Sequence, residues 1–226
     1  MTVWVKLHLI VEGDTELTFA RDTLKPHLAQ SQVSVNPFKL PTNPKGAAGG
    51  ALSWDRFHYN VSRLLKQHSA PSDRLTTLLD WYRLDPHFPG FEKARQVRLP
   101  RQRVEAVEQA VGQFFDSPRL LSFFMLHEFE ALLFCDLSQL SARLPGQERA
   151  VATLQTEVGS APPEDINEGA ETHPSARLEK RLPGYHRAKV RVGAPAAGSI
   201  GLQVLREKCP HFGQWLTRLE NLTRPS

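Results

Sequence analysis

The chain has 226 residues, 40% of them hydrophobic, and a formal net charge of +4, enough apolar mass for one large domain or a domain with an extension. Mean hydropathy is −0.37, and no apolar run approaches the ~20 residues of a membrane-spanning helix. Two cysteines, Cys135 and Cys209, with no Cys-x-x-Cys between them, exclude a zinc ribbon and a disulfide scaffold and fit a reducing cytoplasm.

The first apolar stretch is short, is broken by Lys6 and His8 and runs into acids, which is not the pattern of a secretory signal. Residues 3–11 alternate, with Val3, Val5, Leu7, Leu9 and Val11 on one side and Trp4, Lys6, His8 and Ile10 on the other; this period of two predicts a strand. Asp14 or Thr15 is placed to cap the helix that follows, which buries Leu17, Ala20, Leu24 and Leu28 until Pro26 kinks or ends it. "QVSVNPFKL" reads as a second, weaker strand and "PTNPKGAAGGALS" as a loop. "KGAAGG" lacks the Gly-Lys-Ser/Thr ending of a nucleotide loop. Ser53 caps a helix with a stripe of Phe57, Val61, Leu64 and Leu65.

"RLTTLLDWY" is a third strand ending at Asp80, followed by the irregular "RLDPHFPGFEKARQVRLP". The next helix carries Val104, Val107, Val111 and Phe114 on one face. "LLSFFMLHEFEALLFCDL" reads as a continuous apolar strand, then acids, then a short helix capped by Asp136, with Cys135 in the core. From residue 137 the pattern is helical, broken by "GSAPPEDINEGAETHPS" and "LPGYHRAKVRVGAPAAGS", and a last helix packs through Trp215, Leu219 and Leu222. Apolar strands separated by helices predict an α/β fold, a mostly parallel sheet flanked by helices. The expected division is a sheet domain over 1–136 and a helical extension over 137–226.

Three of these strands end in acid. The first gives Glu12 and, a helical turn later, Glu16; the third gives Asp80; the fourth gives Glu128 and Glu130. Ligands of open parallel sheets bind beyond the carboxyl ends of the strands, so adjacent strands bring these carboxylates together. Clustered carboxylates repel and raise one another's pKa unless a cation neutralises them, and oxygen ligands select Mg²⁺ or Mn²⁺. Two such ions can hold a phosphodiester and activate water. On this reading Gly13 lets the backbone turn tightly and a phosphate approach. The alternatives are ordinary: a solvated turn residue at Glu12, a helix-dipole partner at Glu16, a cap at Asp80.

"VEGDTE", "LLDWY" and "HEFEALLFCD" resemble Toprim-fold proteins, in particular the nuclease domains of the OLD (overcoming lysogenization defect) family. "PEDINEGAETHPSARL" at 163–178 and "CPHFGQWLTRLENL" at 209–222 resemble a bacterial family of unknown function whose members begin near a "VEGxTE", so the resemblance spans nearly the whole chain. It implies a Toprim-like fold and a metal-dependent nuclease. The Glu-x-x-x-Glu of OLD-type nucleases is matched by Glu12 and Glu16, and the first Asp of a Toprim Asp-x-Asp by Asp80. The second position holds Tyr82, a departure that Asp85 is near enough to make good. A further acidic motif falls on Glu128 or Glu130, and the late lysine that neutralises transition-state charge falls, by position, on Lys189. An AAA- or ABC-type ATPase partner in phage defence is implied by the same resemblance.

Two basic runs stand apart from the acids. Lys93, Arg95, Arg98, Arg101 and Arg103, opposed by Glu92, follow the Asp80 strand and read as a phosphate-gripping surface or a solvated helix start. Arg177, Lys180, Arg181, Arg187, Lys189 and Arg191 carry the same two readings. His127 beside Glu128 is a proton carrier or a hydrogen-bonded core residue. The preferred function is a Mg²⁺- or Mn²⁺-dependent phosphodiesterase acting on DNA or RNA, with Glu12, Asp80 and Lys189 catalytic and Glu12, Glu16, Asp80, Glu128 and Glu130 as metal ligands. The rival is a non-catalytic module of the same fold that binds an ATPase or nucleic acid.

Overall fold

The computed structural model describes residues 4–40, 52–166 and 169–224; Val3 and most of the expected loop at 41–53 lie outside them. Strand β1 (Val5–Val11) leads into helix α1 (Asp14–Phe19), a π-helical turn (Ala20–Leu24) and α2 (Lys25–Ala29), then β2 (Val33–Lys39), α3 (Trp54–Gln67), β3 (Asp73–Asp80), α4 (Phe91–Ala94) and α5 (Pro100–Phe115). Two short strands follow, β4 (Leu120–Leu121) and β5 (Phe124–Met125), then a 3₁₀ helix (Phe129–Cys135). The rest is α6 (Ser138–Ser141), α7 (Glu148–Val158), a short 3₁₀ turn (Pro163–Asp165), α8 (Pro174–Arg181), α9 (Tyr185–Ile200), α10 (Leu202–Lys208) and α11 (Pro210–Glu220).

The sheet runs β2-β1-β3-β4, with β5 also on β3, and every pairing is parallel. Helices cover both faces. One core joins Leu7, Leu9 and Val11 to Phe19, Leu24 and Leu28 and to the C-terminal helices through residues such as Leu182, Trp215 and Leu219. The other packs Ile10, Leu75 and Leu79 under α3 and α5. That double cover corrects the expectation of one apolar face on β1: His8 and Ile10 are buried as well. Cys135 is buried, as expected, with its sulfur 3.4 Å from that of Cys209.

Several local expectations change. The N-cap of α1 is Gly13, not Asp14 or Thr15. Pro26 does not end the helix; the π turn before it lets the chain run on into α2, absorbing the missing donor. Ser53 does cap α3, accepting the Arg56 N–H. The apolar run after α5 is not one strand. It breaks at Ser122–Phe123, where Thr77 Oγ1 donates to the Phe123 carbonyl at 2.7 Å and accepts its N–H at 2.8 Å. Phe114 is exposed, whereas Val104, Val107 and Val111 are fully buried.

The segment read as a helix break at 182–199 instead holds most of the 16-residue α9, with Pro195 inside it. Its small residues have a packing reason. A Cβ on Gly198 would lie 2.8 Å from Thr23 Oγ1, and one on Gly193 would lie 2.9 Å from the Tyr185 hydroxyl. The close approach of α9 to the first helix puts Lys189 at the carboxyl ends of the strands.

Candidate metal centre

Parallel pairing of β1 with β3 sets Val11 opposite Leu78, and β3 sets Asp80 opposite Met125. Glu12 and Asp80 therefore leave neighbouring strands at the same end, and the chain reaches Glu128 three residues after β5. An open pocket of about 520 Å³ lies there, lined by Glu12, Asp80, Tyr82, Glu128, His173 and Glu179 among others. Glu16, in the first turn of α1, and Glu130, in the 3₁₀ helix, are buried beside it.

Each acid is held by a neighbour. The Glu16 carboxylate accepts the Gly13 N–H at 3.0 Å. Asp80 accepts the Phe129 N–H at 3.0 Å. Glu128 accepts the Ser175 N–H at 3.0 Å and lies 2.8 Å from His173 Nδ1. Glu130 pairs with Lys189 at 3.2 Å, and the same ammonium reaches Glu179 at 3.1 Å and Ser175 Oγ at 2.5 Å.

The electrostatics follow from this crowding. Burial raises the Asp80 pKa well above the usual range, and Glu16, Glu12, Glu130 and Glu128 each raise it further. Burial, then Glu130 and Glu12, push Glu16 up to about 7. Glu12 is exposed at the rim, yet desolvation still raises it, against the Asp80 backbone and Arg56, which lower it. Glu130 is raised by burial against Lys189. The Lys189 pKa is lowered by burial and raised by more through Glu130 and Glu179, which keeps it cationic. The buried Tyr185 hydroxyl has no hydrogen-bond partner among the described residues; its pKa is raised by burial and then by Glu130, Glu179 and Glu16.

A family model described as a domain of unknown function, DUF4276, matches residues 11–220, from the last residue of β1 to the last of α11. The chain belongs to the DUF4276 family. No curated protein matches it. A solved structure, the C-terminal region of the Xanthomonas campestris pv. campestris OLD protein, aligns over 96% of this chain and 95% of that one, at 18% identity and a TM-score of 0.41. A likeness at that level carries no weight for the chemistry.

In this DUF4276 chain the structure brings Glu12, Glu16, Asp80, Glu128, Glu130 and Lys189 to one edge. It does not pack the acids to coordination distance. Among the described residues, the set of three metal-type side chains whose donor atoms lie within 4.8 Å of one another is His8, His68 and Asp73, elsewhere in the fold. Repulsion between the acids and their separate partners account for that spacing. Asp85 does not make good the Tyr82 departure: its carboxylate accepts the Trp54 N–H at 2.8 Å and pairs with His87. Tyr82 stacks on His173, with ring centroids 4.3 Å apart.

Of the basic run, Arg95 and Arg103 line a groove with Tyr82 and Arg83, which also line the acidic pocket. Arg101 pairs with Glu105 at 2.7 Å, and Arg98 does not line the groove. His127 is buried, with Nε2 3.0 Å from the Glu164 carbonyl. Sequence reasoning missed His173, Ser175 and Glu179, although the first two sit in the 163–178 motif and were available as a signal. The same motif has a structural half: Glu164 accepts the His211 and Phe212 N–H groups, capping α11.

Gly13 has φ −129°, open to any residue, so its role is not an unusual turn. A Cβ there would lie 2.9 Å from Glu16 Oε2. Gly13→Ala should displace that carboxylate, cost about 1 kcal/mol through the weakened hydrogen bond, and reduce the thermal stabilisation given by Mn²⁺. Unchanged Mn²⁺ stabilisation would separate Glu16 from the metal reading.

Proposed function

We propose that the acidic edge binds Mg²⁺ or Mn²⁺ and that the chain hydrolyses phosphodiester bonds in DNA or RNA. The observation that carries this is Asp80, a carboxylate destabilised by four others at the carboxyl ends of parallel strands, lining an open pocket with Glu12 and Glu128, while Lys189 pairs with Glu130 and Glu179 beside it. The donor set fits a hard divalent cation: all oxygen, crowded, and short of positive charge. Glu12, Glu16, Asp80, Glu128 and Glu130 would hold it, and when bound it would supply Lewis-acid activation and an acidified water. Lys189 offers the positive charge that meets an anionic transition state. His173 lines the pocket with Nδ1 2.8 Å from Glu128, and in this reading its imidazole is the proton carrier. The reading treats residues 1–136 as a Toprim-like unit and 137–226 as an extension that contributes His173, Glu179 and Lys189.

The resemblance to OLD-type nucleases supports an effector role beside an AAA- or ABC-type ATPase in phage defence, and the groove lined by Arg83, Arg95 and Arg103 supports contact with a phosphate backbone. The second reading, a non-catalytic module binding an ATPase or nucleic acid, is favoured by one observation: Tyr82 stands where the second acid would be, and Asp85 is engaged elsewhere. No helix among the described residues is long and apolar enough to cross a membrane.

The test is incubation with plasmid DNA and with tRNA in Mn²⁺, alone and with any ATPase encoded beside the gene. Metal-dependent cleavage is expected; binding without cleavage in every arm would favour the second reading. Charge reversal at Arg95 and Arg103 should flatten the salt dependence of binding by roughly 0.7–0.9 per lost phosphate contact. The same reversal at Arg98 and Arg101 should do less, because those two stand outside the groove. Equal slopes for both pairs would return the run to a solvated face.

A further inference from the structure

A second group of metal-type side chains lies on the same strands, towards their opposite end. His8 sits in β1, His68 at the C-terminal cap of α3, and Asp73 at the start of β3. His8 is four residues from Glu12, about 13 Å along an extended strand, so it is not part of the acidic edge. The two imidazoles stack with centroids 3.6 Å apart. His8 Nε2 lies 3.4 Å from Asp73 Oδ1, a poor hydrogen bond, while Asp73 Oδ2 accepts the Ala70 N–H at 3.1 Å and is thereby oriented. His8 and Asp73 are buried, and His8 Nδ1 has no partner among the described residues.

We propose that His8, His68 and Asp73 bind a cation of the Zn²⁺ class, clipping the end of α3 to β1 and β3. Donor atoms from all three already lie within 4.8 Å of one another. A tetrahedral ion with bonds of about 2.1 Å sets its donors ~3.4 Å apart, the separation found between His8 Nε2 and Asp73 Oδ1. Two imidazoles and a carboxylate are the ligand mixture of zinc and its borderline neighbours, whereas Mg²⁺ takes oxygen. Loading requires the His68 ring to turn out of the stack. His68 is only half-buried, so it can turn without opening the core and offers the route from solvent; water completes the ligand set.

The full-length chain, stripped with a chelator, is titrated with Zn²⁺ in excess Mg²⁺, so that the hard ion competes for the acidic edge. One Zn²⁺ per chain should bind and raise the thermal midpoint. His68→Ala and Asp73→Asn, each checked for folding by circular dichroism, should weaken binding by roughly tenfold or more, and Glu12→Gln should leave it unchanged. The proposal is overturned if the wild-type chain binds no Zn²⁺, if both variants keep wild-type affinity, or if Glu12→Gln removes binding. The last outcome would place the ion at the acidic edge, and none of these outcomes depends on nuclease activity.

Discussion

Glu12→Gln should give a folded, soluble protein that cleaves nucleic acid at least ~100-fold more slowly than wild type, since a bound metal contributes about 3 kcal/mol or more to such reactions. Glu12 leaves β1 beside Asp80 and lines the pocket. The amide keeps the size of the carboxylate and can still accept the Asp80 N–H, so local structure survives; only the charge goes. Removing it relieves repulsion on Asp80 and Glu16, which both feel Glu12. The metal-free variant should therefore melt at or above the wild-type temperature, yet gain less from added Mn²⁺. Cleavage at the wild-type rate would refute the assignment. An unfolded variant would show Glu12 to be a structural hydrogen-bond hub instead.

The metal-free protein should lose stability as pH rises from about 4.5 to about 7. Glu16 binds its proton more tightly in the folded state, with a pKa of about 7 against 4.5 for an ordinary glutamate. A carboxyl whose pKa is raised on folding favours the native state fully below the unfolded value, and that advantage disappears as pH climbs through the folded value. For Glu16 alone the span corresponds to about 3 kcal/mol, or roughly 6–12 °C in a chain of this size. Glu12, Asp80 and Glu130 are raised too and act in the same direction. His8 acts oppositely, because burial and then His68 lower its pKa, so the raw slope is not the measurement. The comparison is wild type against Glu16→Gln by thermal melts across pH 4.5–8: the variant should lose most of the fall. Mn²⁺ should flatten the wild-type curve as well, by holding the carboxylates ionised. A variant whose slope matches wild type would remove Glu16 from the charged cluster.

What could be read from the chain by itself was local. Period two gave β1, an apolar run ending in acid gave β3, period 3.6 gave α3 and α5, and Ser53 announced its own cap, because each of these signals lies among neighbouring residues. Acids at the strand ends were visible for the same reason: each follows its strand within a turn. The long motifs at 163–178 and 209–222 carried the family. Only the tertiary structure decided that β1 and β3 are neighbours, which turns Glu12 and Asp80 into one site. Strand order depends on which faces pack together across the whole chain, and no local repeat encodes it. The same holds for His173, Ser175 and Glu179, which line the pocket from 45 or more residues beyond Glu128, and for α9, whose glycines read as breaks until Thr23 and Tyr185 are seen against them. A residue's contribution to the site is set by what packs behind it, and that is information the chain holds only when folded.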